Sequence, residues 1–378
     1  MDTTDPEIIF DIYGVCNHCH AYDVNIRDRV LGGEAGARHL ESKVAEIKAA
    51  GRGKKYDCII GVSGGVDSTF VAYKTKQLGL RPLAVHLDNG WNSELAVSNI
   101  HEALTRLKID LHTHVIDWEE FKDLQLAFLR ASTPDSEIPS DHAIVALMRL
   151  TAERFGVRYV ISGCNARTES HLPRSWSQGH GDWKYIQSIH RRFGQGPLKT
   201  YPKMTFLDLL RWGRSQEWID ILNYVDYVKT DALVFLEREL GWRNYGGKHF
   251  ESLYTRFYQG HILPKKFGFD KRKTHLSSLI CSGEISREDA LRQLQGEPYS
   301  VALQNEDREY AISKFGLTVA EFDAIIAAPP KSFSDFPSYA KWYGTWWFRA
   351  IQRTNRAMKS GMGYLTRSAK KAATVGRH

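Results

Sequence analysis

Ser63-Gly64-Gly65-Val66-Asp67-Ser68 is the stretch of this 378-residue chain best equipped for chemistry. Two adjacent glycines permit a backbone path that side chains forbid. Serine hydroxyls add donors at both ends, and a helix starting just afterwards aims its first N–H groups at the same point, so the string suits an anion, above all a phosphate. A carboxylate beside bare phosphate would repel it, so Asp67 points to a Mg²⁺ ion between the two. The segment lacks the lysine of G-x-x-x-x-G-K-[ST] and is therefore a different kind of phosphate loop. A plainer reading, a tight strand-to-helix turn with Asp67 and Ser68 as caps, accounts for a lone Gly-Gly. It does not account for the full string between a first strand and a first helix.

Three further segments offer polar side chains at strand or helix ends. His86-Leu87-Asp88-Asn89-Gly90-Trp91 closes the second strand, where Asp88 to Gly90 also read as an ordinary β-turn. Asp141, in Ser140-Asp141-His142, can contact a metal or a hydroxyl, or can simply cap the helix expected over 143–155. In Ser162-Gly163-Cys164-Asn165-Ala166-Arg167-Thr168-Glu169, Gly163 lets the backbone approach a ligand closely, and Asn165 and Glu169 are candidate contacts to substrate or metal. Cys164 is either a thiol in the same crevice or a small buried residue. Cys16-Asn17-His18-Cys19 is a C-x-x-C, half of a zinc site, which requires four ligands. Cys58, Cys164 and Cys281 are scattered through other elements, so the expectation is that His18 or His20 completes any shell.

The elements that must position these residues alternate. Strands are expected over 57–62, 81–87, 111–116 and 157–162, and helices over 38–50, 69–78, 95–107, 119–129 and 143–155. This βαβα order predicts an α/β fold, a doubly wound parallel sheet that binds ligands beyond the carboxyl ends of its strands. From about residue 208 the pattern turns helical, over 207–216, 217–227, 231–240, 249–262, 276–282, 287–295, 305–315 and 319–326. The expected division is an N-terminal appendage (1–50), a nucleotide-binding domain (51–206), a helical domain completing the site (207–337) and a basic tail (338–378).

Charge supports that division. Of 51 basic residues, nine lie in 338–378, which holds no acid, so the net +7 belongs to the tail and the body carries 42 bases against 44 acids. A near-neutral body offers no wide nucleic-acid footprint, and 42% hydrophobic residues exclude disorder over the whole length. Neither a long apolar run nor a basic-then-apolar beginning appears, and five cysteines do not form a disulfide framework, so a cytoplasmic location is expected. Trp342 and Tyr343, then Trp346, Trp347 and Phe348, precede Arg349, Arg353, Arg356 and Lys359 at helical spacings. Such a segment lies on an anionic membrane surface, docks on an acidic partner, or packs as an ordinary helix.

S-G-G-V-D-S resembles the loop of the PP-loop ATP pyrophosphatases, which cleave ATP to AMP and pyrophosphate. Over 1–337 the chain resembles more particularly the N-acetyl sugar amidotransferases of bacterial surface-polysaccharide pathways, the WbpG-like, pseudaminic- and legionaminic-acid group. The resemblance rests on Asp2-Thr3-Thr4-Asp5-Pro6-Glu7-Ile8, Phe10-Asp11, Gly14-Val15-Cys16-Asn17-His18-Cys19, Asp88-Asn89-Gly90-Trp91-Asn92-Ser93, Tyr245-Gly246-Gly247-Lys248-His249-Phe250-Glu251-Ser252 and Leu263-Pro264-Lys265-Lys266-Phe267-Gly268, leading to Lys271-Arg272-Lys273. It implies that ATP, with Mg²⁺ at Asp67, activates an acetamido group of a nucleotide-linked sugar, which ammonia converts to an acetamidino group. Ser63, Gly64, Gly65, Val66, Asp67 and Ser68 would hold the phosphates, and the backbone at Val85, His86 and Leu87 would read adenine, with Asp88 and Asn89 near ribose or substrate.

The resemblance also implies that Lys248 reaches the phosphates. Lys265, Lys266, Arg272 and Lys273 would clamp a diphosphate or a sugar carboxylate unless they are a solvated face, and His249 is a general base or a satisfied histidine. No glutaminase module is recognisable, so ammonia is expected from a glutaminase subunit acting through a cyclase-like partner. Relatives often carry a second C-x-x-C just upstream, which suggests that Met1 is an internal methionine. Two alternatives stand beside this reading: a tRNA-thiolating PP-loop enzyme, and a nucleotide-binding scaffold without turnover.

Overall fold

A computed structural model describes residues 1–247, 250–343 and 345. Two helices, α1 (Asn17–Arg29) and α2 (Gly33–Ala50), precede a five-stranded parallel sheet. Its strands are β1 (Cys58–Gly61), β2 (Pro82–Asp88), β3 (Asp110–Val115), β4 (Tyr159–Ser162) and β5 (Glu217–Asp220), in spatial order β3-β2-β1-β4-β5. Successive residues along a strand face opposite ways. Ile59, Leu83 and Val85 accordingly enter one core, and Cys58, Ile60 and Ala84 the other. Ile59 and Ile60 are wholly buried, each contributing about 1.5–3 kcal/mol by leaving water. A sheet covered on both faces explains why these strands read as continuous apolar runs.

The connections carry α3 (Val66–Gln77), α4 (Glu94–Leu107), α5 (Trp118–Ala131) and α6 (Ile138–Arg154). Ser93 and Asp117 cap α4 and α5 by accepting from Ala96 N–H and Glu120 N–H. After β4 come α7 (Ala166–Glu169), α8 (Trp183–Phe193) and α9 (Phe206–Ser215), and after β5 comes α10 (Lys229–Leu240). Next, α11 (Leu253–Phe257) runs into a π-helical stretch, Tyr258–Phe267, that tolerates Pro264 in its last turn. Finally come α12 (Arg272–Cys281), α13 (Arg287–Leu294), α14 (Val301–Phe315), α15 (Val319–Ala327) and α16 (Ala340–Tyr343). Among the described residues, no helix is long and apolar enough to cross a membrane.

The doubly wound parallel sheet and the helical C-terminal region are as expected, but several segments differ. The helix expected over 217–227 is instead β5 followed by a 3-10 turn, Ile221–Tyr224. Glu217-Trp218-Ile219-Asp220 is too short to show a period, and it is the open edge of β4, where Ile219 pairs with Ile161, that makes it a strand. The sheet thus takes its fifth strand from a segment read as helical, and both cores run across residue 207. The helix expected from residue 249 starts at Leu253, because Ser252 caps it through Thr255 N–H. Last, α1 and α8 had no counterpart in the expected pattern.

Strand order reverses at β1, whose neighbours are β2 on one side and β4 on the other. Ligand-binding crevices open at such a switch point, beyond the carboxyl ends of the strands. The β1–α3 loop carries Ser63 to Ser68 and the β4–α7 loop carries Gly163 to Asn165, so the two loops meet there.

Candidate active site

Gly64 sits at φ +82°, and a Cβ there would lie 2.5 Å from the Ala96 carbonyl oxygen, so only glycine fits. Ser68 Oγ accepts from Ser63 N–H at 3.2 Å, and Ser63 Oγ accepts from Gly65 N–H at 3.3 Å. Gly65 is the N-cap of α3 and supplies no side-chain cap, which leaves the helix's first turn to other partners. A Cβ on Gly163 would stand 3.3 Å from Ser68 N, so the end of β4 packs directly against that turn. The missing side chains at Gly64, Gly65 and Gly163 make a backbone-lined cradle that fits phosphate.

Four side chains from beyond residue 220 close over this loop, none of them among the expected site residues. Tyr227 donates its hydroxyl to Asp67 Oδ1. Trp242, fully buried, donates Nε1–H to the Gly64 carbonyl at 2.8 Å. The Tyr245 hydroxyl accepts from Val66 N–H and lies against the Glu251 carboxylate; burial first, then the charges of Glu251 and Asp67, push that phenol far up. Glu251 and Leu253 also pair by backbone with the turn after β2, Ser93 N–H donating to Glu251 O at 2.8 Å and Leu253 N–H to Trp91 O at 2.9 Å. The sequence signal was present in Tyr245-Gly246-Gly247 and Glu251-Ser252, but its partners are 150 or more positions away. Lys248 and His249 lie outside the described residues.

At the end of β2, the Val85 carbonyl accepts from Val62 N–H at 3.0 Å and the Asp88 carbonyl from Ile116 N–H at 2.9 Å. Alternation along the strand then turns His86 toward β3 and leaves Leu87, of the three residues expected to read adenine, as the one whose backbone faces past the end of β1. The His86 ring is a brace: Nδ1–H donates to Val62 O at 2.9 Å, so Nε2 accepts from Asn92 Nδ2 at 3.1 Å. Asp88 Oδ1 accepts from Gly90 N–H at 3.0 Å, the expected turn, and Asn89 Nδ2 donates to Ser140 Oγ at 3.2 Å. Lys314, from α14, donates to the Gly90 carbonyl and stands 4.9–5.3 Å from the ring centres of Trp91, Trp118 and Tyr310. With Asp88, Asn89 and Trp118 it lines a cavity of about 220 Å³.

Asp141 does not cap its helix. α6 begins at Ile138, four residues earlier than the capping reading requires, with Pro139 in its first turn. Asp141 Oδ2 instead lies 3.3 Å from His180 Nε2, which is 3.4 Å from Asp135 Oδ2. Glu137 Oε2 accepts from Gln259 Nε2 at 2.7 Å and pairs with Lys271 Nζ at 3.4 Å. Burial works against charge on Lys271, but Glu137, Asp135 and Asp141 outweigh it and hold the ammonium protonated. Burial pushes Glu137 up, and Asp135 and Asp141 add to that against the pull of Lys271.

The residues of the expected cationic clamp mostly have partners within the protein. Lys266 donates to the carbonyls of Ile325, Ile326 and Ala328, a C-terminal cap for α15, and its burial lowers its pKa to about 8. Arg272 binds Asp270 and the carbonyls of Gln293 and Gly296, Lys273 pairs with Asp2 at 2.5 Å, and Lys265 is exposed. The residue of this run that reaches the carboxylates is Lys271. In the loop after β4, Asn165 caps α7 by accepting from Thr168 N–H and Oγ–H, while its buried Nδ2 has no partner. Glu169 is exposed near Cys164. Desolvation by the crevice walls, then the charges of Glu169, Asp220 and Asp141, push the Cys164 thiol up to about 11, away from a reactive thiolate.

A parallel sheet with a glycine-rich loop at its switch point, closed by aromatic and acidic side chains from a helical C-terminal region, makes a crevice suited to a phosphate-bearing ligand. Residues 251–350 match the family model described as LPS biosynthesis protein WbpG-like, C-terminal domain. The match runs past residue 337, where the resemblance was expected to end, and takes in the start of the basic tail. There Trp342 packs 5.8 Å from Phe206 and 4.8 Å from the Lys184 ammonium, while residues 346–378 lie outside the described residues. No curated protein matches the chain. Among solved structures, NMN synthetase from Francisella tularensis aligns at a TM-score of 0.34 and 14% identity, covering 67% of this chain and 95% of that one.

Proposed function

We propose that this protein is an ATP-dependent amidotransferase that converts the acetamido group of a nucleotide-linked sugar to an acetamidino group, in bacterial lipopolysaccharide O-antigen synthesis. The observation that carries the proposal is the match of residues 251–350 to the WbpG-like C-terminal domain, whose first residues, Glu251 and Leu253, pair by backbone with the turn after β2 beside the phosphate loop. An amide carbonyl is a poor electrophile and its oxygen a poor leaving group. In the proposed reaction the amide oxygen attacks the α-phosphorus of ATP and pyrophosphate leaves. Ammonia then adds to the imidate carbon, loses a proton, and AMP departs with the former amide oxygen.

The chain's own contribution is electrostatic preorganisation. The cradle of Ser63 to Ser68 with Gly163 would hold the phosphates, and the Leu87 backbone the adenine. Asp67 would hold Mg²⁺, which screens the phosphate charge when bound; Tyr227 fixes one carboxylate oxygen and leaves the other free for it. Asp88, Asn89 and Lys314 would face the sugar nucleotide. Ammonia would come from a glutaminase subunit through a cyclase-like subunit, with the enzyme in the cytoplasm.

The test supplies ATP, Mg²⁺, ammonium and a panel of N-acetylated nucleotide sugars labelled with ¹⁸O in the amide. AMP release that depends on both sugar and ammonium, with ¹⁸O recovered in AMP, is expected, and Asp67→Asn should lower the rate by about a hundredfold or more while the protein stays folded. AMP release dependent on tRNA instead, or no turnover with any substrate, would replace the proposal with thiolation or with a scaffold role.

A further inference from the structure

Cys19, His171 and Cys281 come from parts of the chain up to 262 residues apart and meet at one point, with Cys16 beside Cys19. Cys16 is the N-cap of α1 and Cys19 lies in its first turn. His171 follows α7, and Cys281 ends α12. The Cys19 and Cys281 sulfurs and a His171 ring nitrogen all lie within 4.8 Å of one another. Cys16 Sγ is 3.5 Å from Cys19 Sγ, and Cys281 Sγ is 3.9 Å from His171 Nε2. A tetrahedral zinc ion with Zn–S bonds of about 2.3 Å and Zn–N bonds of about 2.0 Å separates its ligand atoms by roughly 3.5–3.8 Å. The geometry points to a structural zinc site with a Cys₃His shell formed by these four side chains.

The imidazole is already set for ligation. Ser278 Oγ spends its single proton on the Thr274 carbonyl at 3.2 Å, so at 2.9 Å it accepts from His171 Nδ1–H. Nε2 therefore carries the lone pair, on the side of Cys281. Holding the far ring nitrogen in this way is the usual support of a metal-bound histidine. Tyr22 stacks on the same ring, with centroids 5.3 Å apart, and fixes its plane.

The expected alternatives are occupied elsewhere. His18 Nε2 binds Asp5 at 2.6 Å and His20 Nε2 binds Asp11 at 2.9 Å, and neither histidine is among the atoms that converge with Cys19. A Cys16–Cys19 disulfide would need the sulfurs at about 2.05 Å and would leave the convergence of Cys281 and His171 without a purpose. Four protein ligands leave no open position, so the ion would act as a staple rather than a catalyst. It would join the N-terminal helix, the crevice element α7 and α12 of the WbpG-like domain.

Elemental analysis of the full-length protein purified from zinc-replete cells should find about one zinc per chain. His171→Ala and Cys281→Ser should each lose that zinc, while Cys164→Ser keeps it. Should those variants fail to fold, Co²⁺ added to chelator-stripped wild type keeps the test open. It should produce the sulfur-to-cobalt charge-transfer band and the intense visible bands of a tetrahedral thiolate site. Zinc-free protein together with a weak octahedral Co²⁺ spectrum would overturn the site, as would a Cys16–Cys19 disulfide found by mass spectrometry in protein purified under reducing conditions.

Discussion

A single lysine shows how little composition says about a side chain's task. Lys265, Lys266, Lys271, Arg272 and Lys273 lie within nine positions, yet Lys266 caps a helix, Arg272 ties down a loop, Lys273 binds the N-terminal segment, and Lys271 alone pairs, itself half-buried, with a buried acid of the sheet domain. Removing one partner from a buried ion pair leaves an uncompensated charge, at about 3–5 kcal/mol. Lys271→Met is therefore expected to lower unfolding stability by that amount, with Glu137 taking up a proton to relieve part of the loss. Lys266→Met strips three carbonyls of a shared donor, and should lower stability by only about 1–3 kcal/mol. Urea titration of both variants distinguishes the two roles; a Lys271→Met protein as stable as wild type would show that the pair contributes nothing.

Among the elements, the one that decides the site is the irregular segment between α10 and α11. It has no period of its own and is held by bonds to the sheet: Trp242 to Gly64, Arg243 N–H to Asn99 at 2.9 Å, and Glu251 to Ser93. Trp242→Phe keeps most of the buried ring and deletes only the bond to the Gly64 carbonyl, worth about 1 kcal/mol. The expected result is a rise of about fivefold in KM for ATP with a far-ultraviolet spectrum like that of wild type. An unchanged KM would detach this segment from the phosphate loop's function. The same element marks the boundary of what was legible. β1 to β4, their helices and the phosphate loop could be read from the chain because each rests on local patterns, apolar runs and a turn string. β5 is fixed by the free edge of β4, α8 by burial of Trp183, Tyr185, Ile186 and Ile189, and the closing residues Tyr227, Trp242 and Tyr245 by contacts more than 150 residues away. The Cys₃His convergence was hidden for the same reason, since only folding brings Cys281 to Cys19.

For the molecule as a whole, the net +7 is a property of the C-terminal tail, so pH acts on the near-neutral body mainly through buried groups. Burial disfavours a charged His180, but hydrogen bonds to Asp135 and Asp141 override it and push its pKa up from 6.5 to about 10. His142 moves the other way. Buried, with Nδ1–H on the His180 carbonyl and Nε2 accepting from Met204 N–H at 2.9 Å, it is held neutral and pushed down to about 4. Between pH 6.5 and 10 the folded protein holds a proton on His180 that the unfolded chain has released. That stabilisation is complete below pH 6.5 and disappears as pH rises through about 10. Below pH 6.5 the unfolded chain protonates His142 while the fold does not, so stability falls from there toward pH 4. A thermal-melting profile should therefore peak near pH 6.5 and decline on both sides. His180→Gln should lower the peak and flatten the alkaline limb, the two proteins converging as pH approaches 10, because at that pH wild type has lost the same charge. Parallel curves across pH 6.5–10 would show that His180 is not the proton holder, and would take the Asp135–His180–Asp141 bridge out of the account of how the sheet domain grips the wall of its crevice.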